Sequence, residues 1–205
     1  MARKAQAAKP DPATRIVEAA LALAAERGWR DLALADIAEA AGLPLAEVHG
    51  RFRSKQAVLA GFARMIDAKV LEEGAAEADD GRARDRLFDV VMRRFDALQP
   101  HKAALGRIAT DLRCDPVGAC AAAAQLRRSM ALMLEAARID SGGLAGALRT
   151  KGLMVIYLAS LRRFLEDESA DLARTMATLD AALRRFEALA GRWPRRRPEA
   201  PSTAA

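Results

Sequence analysis

A chain of 205 residues can bury a core of its own without disulfides, and a formal charge of +6 is compatible with an anionic partner. Hydrophobic residues make up 52% but aromatic ones only 4%; alanine and leucine dominate, and β-branched residues are scarce. That balance favours helix over strand, so the expected fold class is all-α with about nine helices.

The positive charge is unevenly placed. Residues 1–12 carry a net +2, residues 13–56 a net of zero, and residues 192–205 a net +3. Basic tails suit nucleic acid, but they serve solubility or an anionic membrane surface equally well. Cys114 and Cys120 match no zinc spacing, and His49 and His101 are too scattered to complete one. The cysteines are expected to be two buried, small apolar side chains in a reducing compartment. No secretory leader opens the chain, and no apolar run approaches the roughly 20 residues of a membrane span. The expectation is a soluble, cytoplasmic protein without cofactor or metal.

Residues 1–11 read as a flexible basic arm. A first helix follows over Pro12–Arg27, with Ile16, Val17, Ala20, Leu21 and Ala24 on one face. Pro12 suits its start and Gly28 its end, and Trp29 then packs as a plug. The second helix spans Ala35 to Ala41, with Leu34, Ile37, Ala38 and Ala41 inward. Gly42 supplies the left-handed turn, and Pro44 pre-sets a third helix from Leu45 to Arg51. Leu45, Val48 and Phe52 are expected to point inward, leaving Ala46, Glu47, His49, Gly50, Arg51 and Arg53 outside. Ser54 can cap a fourth helix, Lys55 to Glu73. This is the grammar of a helix-turn-helix, whose second helix enters the major groove. It delimits a DNA-binding domain at 12–56.

Residues 57–191 form a larger helical body. Gly74 to Gly81 is an acidic loop. Helices are expected over Arg82 to Leu98, His101 to Arg113, Val117 to Ile139 and Leu144 to Glu166, with Pro100 and Pro116 as stops. An acidic connection, Glu166 to Asp171, suits the positive N-terminus of the ninth helix. There Leu172, Met176, Leu179, Leu183, Phe186 and Ala190 recur in steps of four and three, a seam made to pack on another helix. Residues 192–205 form an Arg- and Pro-rich tail, expected to be disordered.

Gly28-Trp29, Asp36-Ile37-Ala38, Ala41-Gly42-Leu43 and Phe52-Arg53-Ser54-Lys55 together resemble the N-terminal domain of TetR-family transcriptional regulators, over Ala13 to Leu59. The resemblance implies a homodimer through the last two helices, a ligand pocket in the body, and two heads on a palindromic DNA operator. The C-terminal half, with Phe164-Leu165-Glu166-Asp167-Glu168 and Arg86-Leu87-Phe88-Asp89, resembles the COQ9-type branch of the same fold. That implies the alternative, a non-enzymatic lipid- or isoprenoid-binding protein linked to ubiquinone biosynthesis.

The candidate DNA-binding residues are Pro44, Leu45, Glu47, His49, Gly50, Arg51, Arg53 and Lys55. Arg51, Arg53 and Lys55 are expected at phosphates or base edges. Glu47 either accepts from cytosine or repels phosphate. Relative to the family pattern, Ala33 stands where a capping, phosphate-touching Thr is usual, and His49 where a Tyr is. Met92, Phe95, Met130, Met133, Met154 and Tyr157 either line a pocket for a small hydrophobic ligand or lipid, or form ordinary core. The expected dimer interface is Leu161, Phe164, Leu172, Met176, Leu179, Leu183 and Phe186. No nucleophile triad, phosphate-cradling Gly loop or metal-ligand cluster occurs, so the chain is not expected to be an enzyme.

Overall fold

The computed structural model describes residues 11–74 and 81–190, without the side chains of 189 and 190. The sequence expectations for the arm, for most of the 74–81 loop and for the Arg/Pro tail lie outside the described residues. Among these residues there are nine α-helices: α1 Pro12–Arg27, α2 Leu34–Ala41, α3 Leu45–Arg51, α4 Lys55–Gly74, α5 Ala83–Leu98, α6 Lys102–Asp111, α7 Pro116–Ala136, α8 Gly143–Glu166 and α9 Ala173–Ala190. Short 3-10 turns flank α6 at Gln99–His101 and Leu112–Cys114. Tertiary packing divides the chain into two compact units: 11–62 with 103–122, and 63–102 with 123–190. The sequence boundary at 56/57 had not anticipated that residues 103–122 join the first unit.

In the first unit, α1 begins on Asp11, whose carboxylate accepts the Ala13 N–H at 3.3 Å. Its inner face, Ile16, Val17, Ala20, Leu21 and Ala24, is buried to within 4%. α2 adds Ile37, Ala38 and Ala41, α3 adds Val48, α4 adds Val58 and Phe62, and α6 adds Ala104 and Ile108. At about 25 cal/mol per Å² of apolar surface removed from water, this shared core is what holds such short helices; alone, helices of seven or eight residues are marginal. Trp29 is a plug, 2% exposed. Leu45 departs from expectation: it is 50% exposed, because at the first position of a seven-residue helix no preceding turn covers its flank.

In the second unit, α9 packs against α8 and α5. Leu179 and Leu183 are fully buried, so the four-three seam of α9 is filled by the chain itself. Phe95 stacks on Tyr157 with centroids 5.2 Å apart and on Phe164 at 5.1 Å. α7 stops three residues before the expected Ile139, because Arg138 turns left-handed at φ 57° and the Ile139 N–H returns to the Leu134 carbonyl. Leu172 also adopts a left-handed backbone, so α9 starts one residue later.

The connection into α9 is built on Asp167. Its carboxylate accepts the Thr175 N–H at 2.8 Å, the Thr175 hydroxyl at 2.9 Å, and both the hydroxyl and N–H of Ser169. The Lys102 ammonium donates to the Asp167 carbonyl. The Ser169 hydroxyl first, and then the Thr175 donors, hold the Asp167 carboxyl well below the ordinary carboxylate range. A depressed folded-state value stabilises the fold above the ordinary value near 4 and is lost as pH falls below it. Asp167→Asn is therefore expected to lower stability at pH 7 and to flatten the acid limb below about pH 4. Denaturant titrations at pH 7 and pH 3 check this; equal pH dependence in both proteins would refute it.

Candidate nucleic-acid interface

The helix-turn-helix is assembled from α2 and α3. Gly42 closes α2 at φ 62°, its N–H returns to the Glu39 carbonyl, and the Leu43 N–H to that of Ala38. Arg15 of α1 reaches the last α2 carbonyl, Ala41, at 2.5 Å. The N-terminus of α2 is only half capped. The Asp36 carboxylate accepts the Ala33 N–H at 2.7 Å, but Ala33 has no side-chain oxygen with which to return the bond. Ser54 caps α4 as expected, accepting the Ala57 N–H at 3.1 Å.

α3 keeps Val48 wholly inside, and Phe52 closes its far end from within. Pro44, Leu45, Ala46, His49, Gly50, Arg51 and, just past the helix, Arg53 are exposed. These side chains share a short helix and its exit, so most of the predicted residues do come together on one outward surface. Glu47 is half-buried and pairs with Arg51 one turn on, at 3.6 Å. Both side chains are about 40% exposed, so the pair is worth little and is easily exchanged for a phosphate. Glu47 therefore has a cation one turn away rather than standing alone on this surface.

Gly50 has no internal explanation. It lies inside α3 with an ordinary negative φ, and a Cβ built there meets nothing within 4 Å. A glycine in a helix costs about 0.5–1 kcal/mol relative to alanine. The open surface at this position leaves room for another molecule's backbone to approach closely. Gly50→Ala is accordingly expected to raise unfolding stability by about 0.5–1 kcal/mol while weakening DNA binding. Opposite signs in a melting curve and a binding titration are the result to look for; tighter binding in the stabilised variant would count against close approach at this position.

Lys55 is placed differently from expectation. Its ammonium donates to the carbonyls of Trp29 at 3.0 Å and Arg30 at 2.6 Å and lies 5.8 Å from the Trp29 ring centroid. Three donors on a flexible stem find two backbone acceptors nearby, and the side chain folds inward.

The body corrects several expectations. Of the pocket residues, Phe95, Met130, Met133 and Tyr157 are at most 3% exposed, and only Met92 and Met154 are half-buried; the set is predominantly core. In their midst lies a polar cluster the sequence reading missed. Arg94 pairs with Asp67 and donates to the Tyr157 hydroxyl at 3.2 Å, and Ser129 donates to the other Asp67 oxygen at 2.7 Å. Burial opposes the charge on Arg94, but Tyr157 and Asp67 outweigh it and the guanidinium pKa is raised. A groove of about 310 Å³ between α5 and α9 is lined by Asp85, Phe88, Asp89, Met176, Ala177 and Asp180.

Of the expected dimer residues, Phe164, Leu172, Leu179 and Leu183 are at most 2% exposed within one chain and have no surface left for a partner. Leu161, Met176 and Phe186 are half-buried. The apolar surface left open is on α8: Leu144 is 90% exposed, Leu148 and Val155 68%, Leu158 45%. The 24 residues of this helix are long and apolar enough to cross a bilayer by length and composition alone, a property that core helices of soluble proteins share. The two cysteines are exposed rather than buried. No group of three or more His, Cys, Asp and Glu placed to hold a metal occurs among the described residues.

Residues 16–61 match the family model described as bacterial regulatory proteins, tetR family. No curated protein matches the chain. Among solved structures, the TetR transcriptional regulator from Nitrosomonas europaea aligns with a TM-score of 0.65 at 24% identity, over 85% of this chain and 97% of that one. A TetR transcriptional regulator from Rhodococcus sp. RHA1 gives 0.57 at 16% identity, over 85% and 94%. A tetR-family regulator from Streptomyces coelicolor gives 0.55 at 16% identity, over 87% and 82%. Residues 16–61 are thus similar to the head of tetR-family regulators, and the whole chain has the all-α fold of these solved structures.

Proposed function

We propose that this chain, with its tetR-type head on a regulator fold, is a homodimeric transcriptional repressor that binds a palindromic operator and responds to a small hydrophobic ligand. It acts in the cytoplasm and catalyses no reaction. The observation that carries the reading is the outer surface of α3, where Leu45, His49, Gly50, Arg51 and Arg53 are exposed over a buried Val48. Leu45 offers an apolar contact to a thymine methyl, and Arg51 a guanidinium for guanine or phosphate. Two such helices must lie about 34–36 Å apart to read successive major grooves, and a ligand that favours another spacing releases the DNA.

Selection of operators from random DNA with the purified full-length protein is the test. An enriched inverted repeat, bound with affinity that falls steeply with salt, is the expected outcome. No enrichment would overturn the reading. On the selected site, Arg51→Ala is expected to cost about 1–3 kcal/mol and relax the preference at one base pair of each half-site. Uniform weakening across all sequences would instead make Arg51 a phosphate contact.

The open apolar stripe on α8 supports dimerisation and also favours a second reading, the lipid- or isoprenoid-binding COQ9-like role. Lipid co-purifying in native mass spectrometry, together with failure of the operator selection, would establish that alternative.

A further inference from the structure

The α1–α2 turn is gripped from both sides by side chains far apart in sequence. One oxygen of Asp111, the last residue of α6, accepts the Trp29 N–H at 2.6 Å and the Arg30 N–H at 3.0 Å. The carbonyls of the same two residues accept the Lys55 ammonium. A carboxylate thus sits on the N–H side of this dipeptide and an ammonium on its carbonyl side, so each charge polarises the peptide groups toward the other. Gly28, at φ 89°, makes the arrangement possible: the positive φ turns the two N–H groups toward Asp111, and a Cβ there would lie 3.1 Å from the accepting oxygen.

We propose that Asp111 and Lys55 are positioning residues for DNA recognition, a pair that clamps the Trp29-Arg30 turn and thereby sets α4, and α3 before it, against α1. Lys55 opens α4, three residues beyond Phe52, which closes α3. Residues 103–122 pack in the same unit as the head, so Asp111 is part of the head's own framework. Lys55 then serves DNA binding through the turn and not through a phosphate. This role rests on the operator-binding reading, but the clamp itself can be tested without DNA.

Amide hydrogen exchange in the full-length protein reads the clamp. Asp111→Leu is expected to speed exchange at Trp29 and Arg30 about tenfold or more, since a hydrogen bond to a charged group is worth about 1.5–3 kcal/mol. Asp111→Asn, which keeps an oxygen acceptor, should fall between and guards against a variant that fails to fold. Lys55→Met should speed the same two amides although it touches neither. On the selected operator, Asp111→Asn and Lys55→Met are expected to lose about five- to fiftyfold in affinity with the salt dependence and base preference of the wild type. Lys55→Met lowering the salt slope by about one would make Lys55 a phosphate contact and overturn the proposal. Unchanged amides in Asp111→Leu would overturn it too, while leaving wild-type operator binding intact. A wild type that binds no operator overturns both the positioning role and the functional reading.

Discussion

Replacing Arg94 by leucine is expected to lower unfolding stability by about 3–5 kcal/mol, the cost of leaving a buried carboxylate without its partner. Arg94 and Asp67 are 4% and 5% exposed, and they tie α5 to α4; Ser129 and Tyr157 bring α7 and α8 into the same cluster. Removing the guanidinium leaves Asp67 with the Ser129 hydroxyl and strands the Tyr157 hydroxyl. An apolar replacement of both charges, Asp67→Leu with Arg94→Met, should recover most of the loss, because the desolvation penalty disappears along with the attraction. Chemical denaturation of the two variants checks this. A loss below about 1 kcal/mol for Arg94→Leu would mean that water reaches Asp67 and that the cluster is looser than its burial shows. The same cluster bears on ligand binding. Any ligand entering among Phe95, Met130, Met133 and Tyr157 must part side chains that are already packed and paired.

The double variant Leu148→Glu, Val155→Glu is expected to be a folded monomer. Leu144, Leu148, Lys151, Val155 and Leu158 recur at intervals of four, three, four and three along α8, the spacing of a helix-packing seam, and all five are exposed. Burying a Leu or Val stabilises by about 1.5–3 kcal/mol. A twofold interface contains each substitution twice, so the pair removes on the order of 6–12 kcal/mol, comparable to the whole free energy of a micromolar to nanomolar dimer. The same glutamates face solvent in the separated chain, so helicity and thermal unfolding should be little changed. Sedimentation or light scattering decides: a variant that stays dimeric at micromolar concentration would place the interface elsewhere. Loss of the dimer should also abolish tight binding to a two-half-site operator while leaving weak binding to one half-site.

The helix-turn-helix was legible in the chain because its determinants are local. Asp11, Pro12 and Gly28 bound α1, Gly42 ends α2, and Ser54 caps α4, each through contacts within four residues. The apolar repeat of α1 and α2 identifies their buried faces for the same reason. The body was harder. Its helices could be counted, but each carries an apolar stripe, and a stripe does not say which neighbour covers it. The four-three seam of α9 looks the same whether it is closed by α8 or by a second molecule; Leu179 and Leu183 show it closed from within. The open stripe on α8 was obscured because Lys151 interrupts it and Leu153, Ile156 and Tyr157 share the helix.

By itself, then, the sequence determined an all-α chain with a helix-turn-helix near its start and a small, exposed set of residues on α3. Those features depend on backbone propensity, capping and short-range periodicity. Tertiary structure decided which apolar faces remain open, that Arg94 and Asp67 pair across 27 residues, and that Asp111 reaches the turn 81 residues before it. It also turned Lys55 from an outward cation into an inward one, since a flexible ammonium goes to the acceptors that folding brings near it. Contacts between residues distant along the chain are chosen by the joint packing of all the helices, and no window of sequence contains that information.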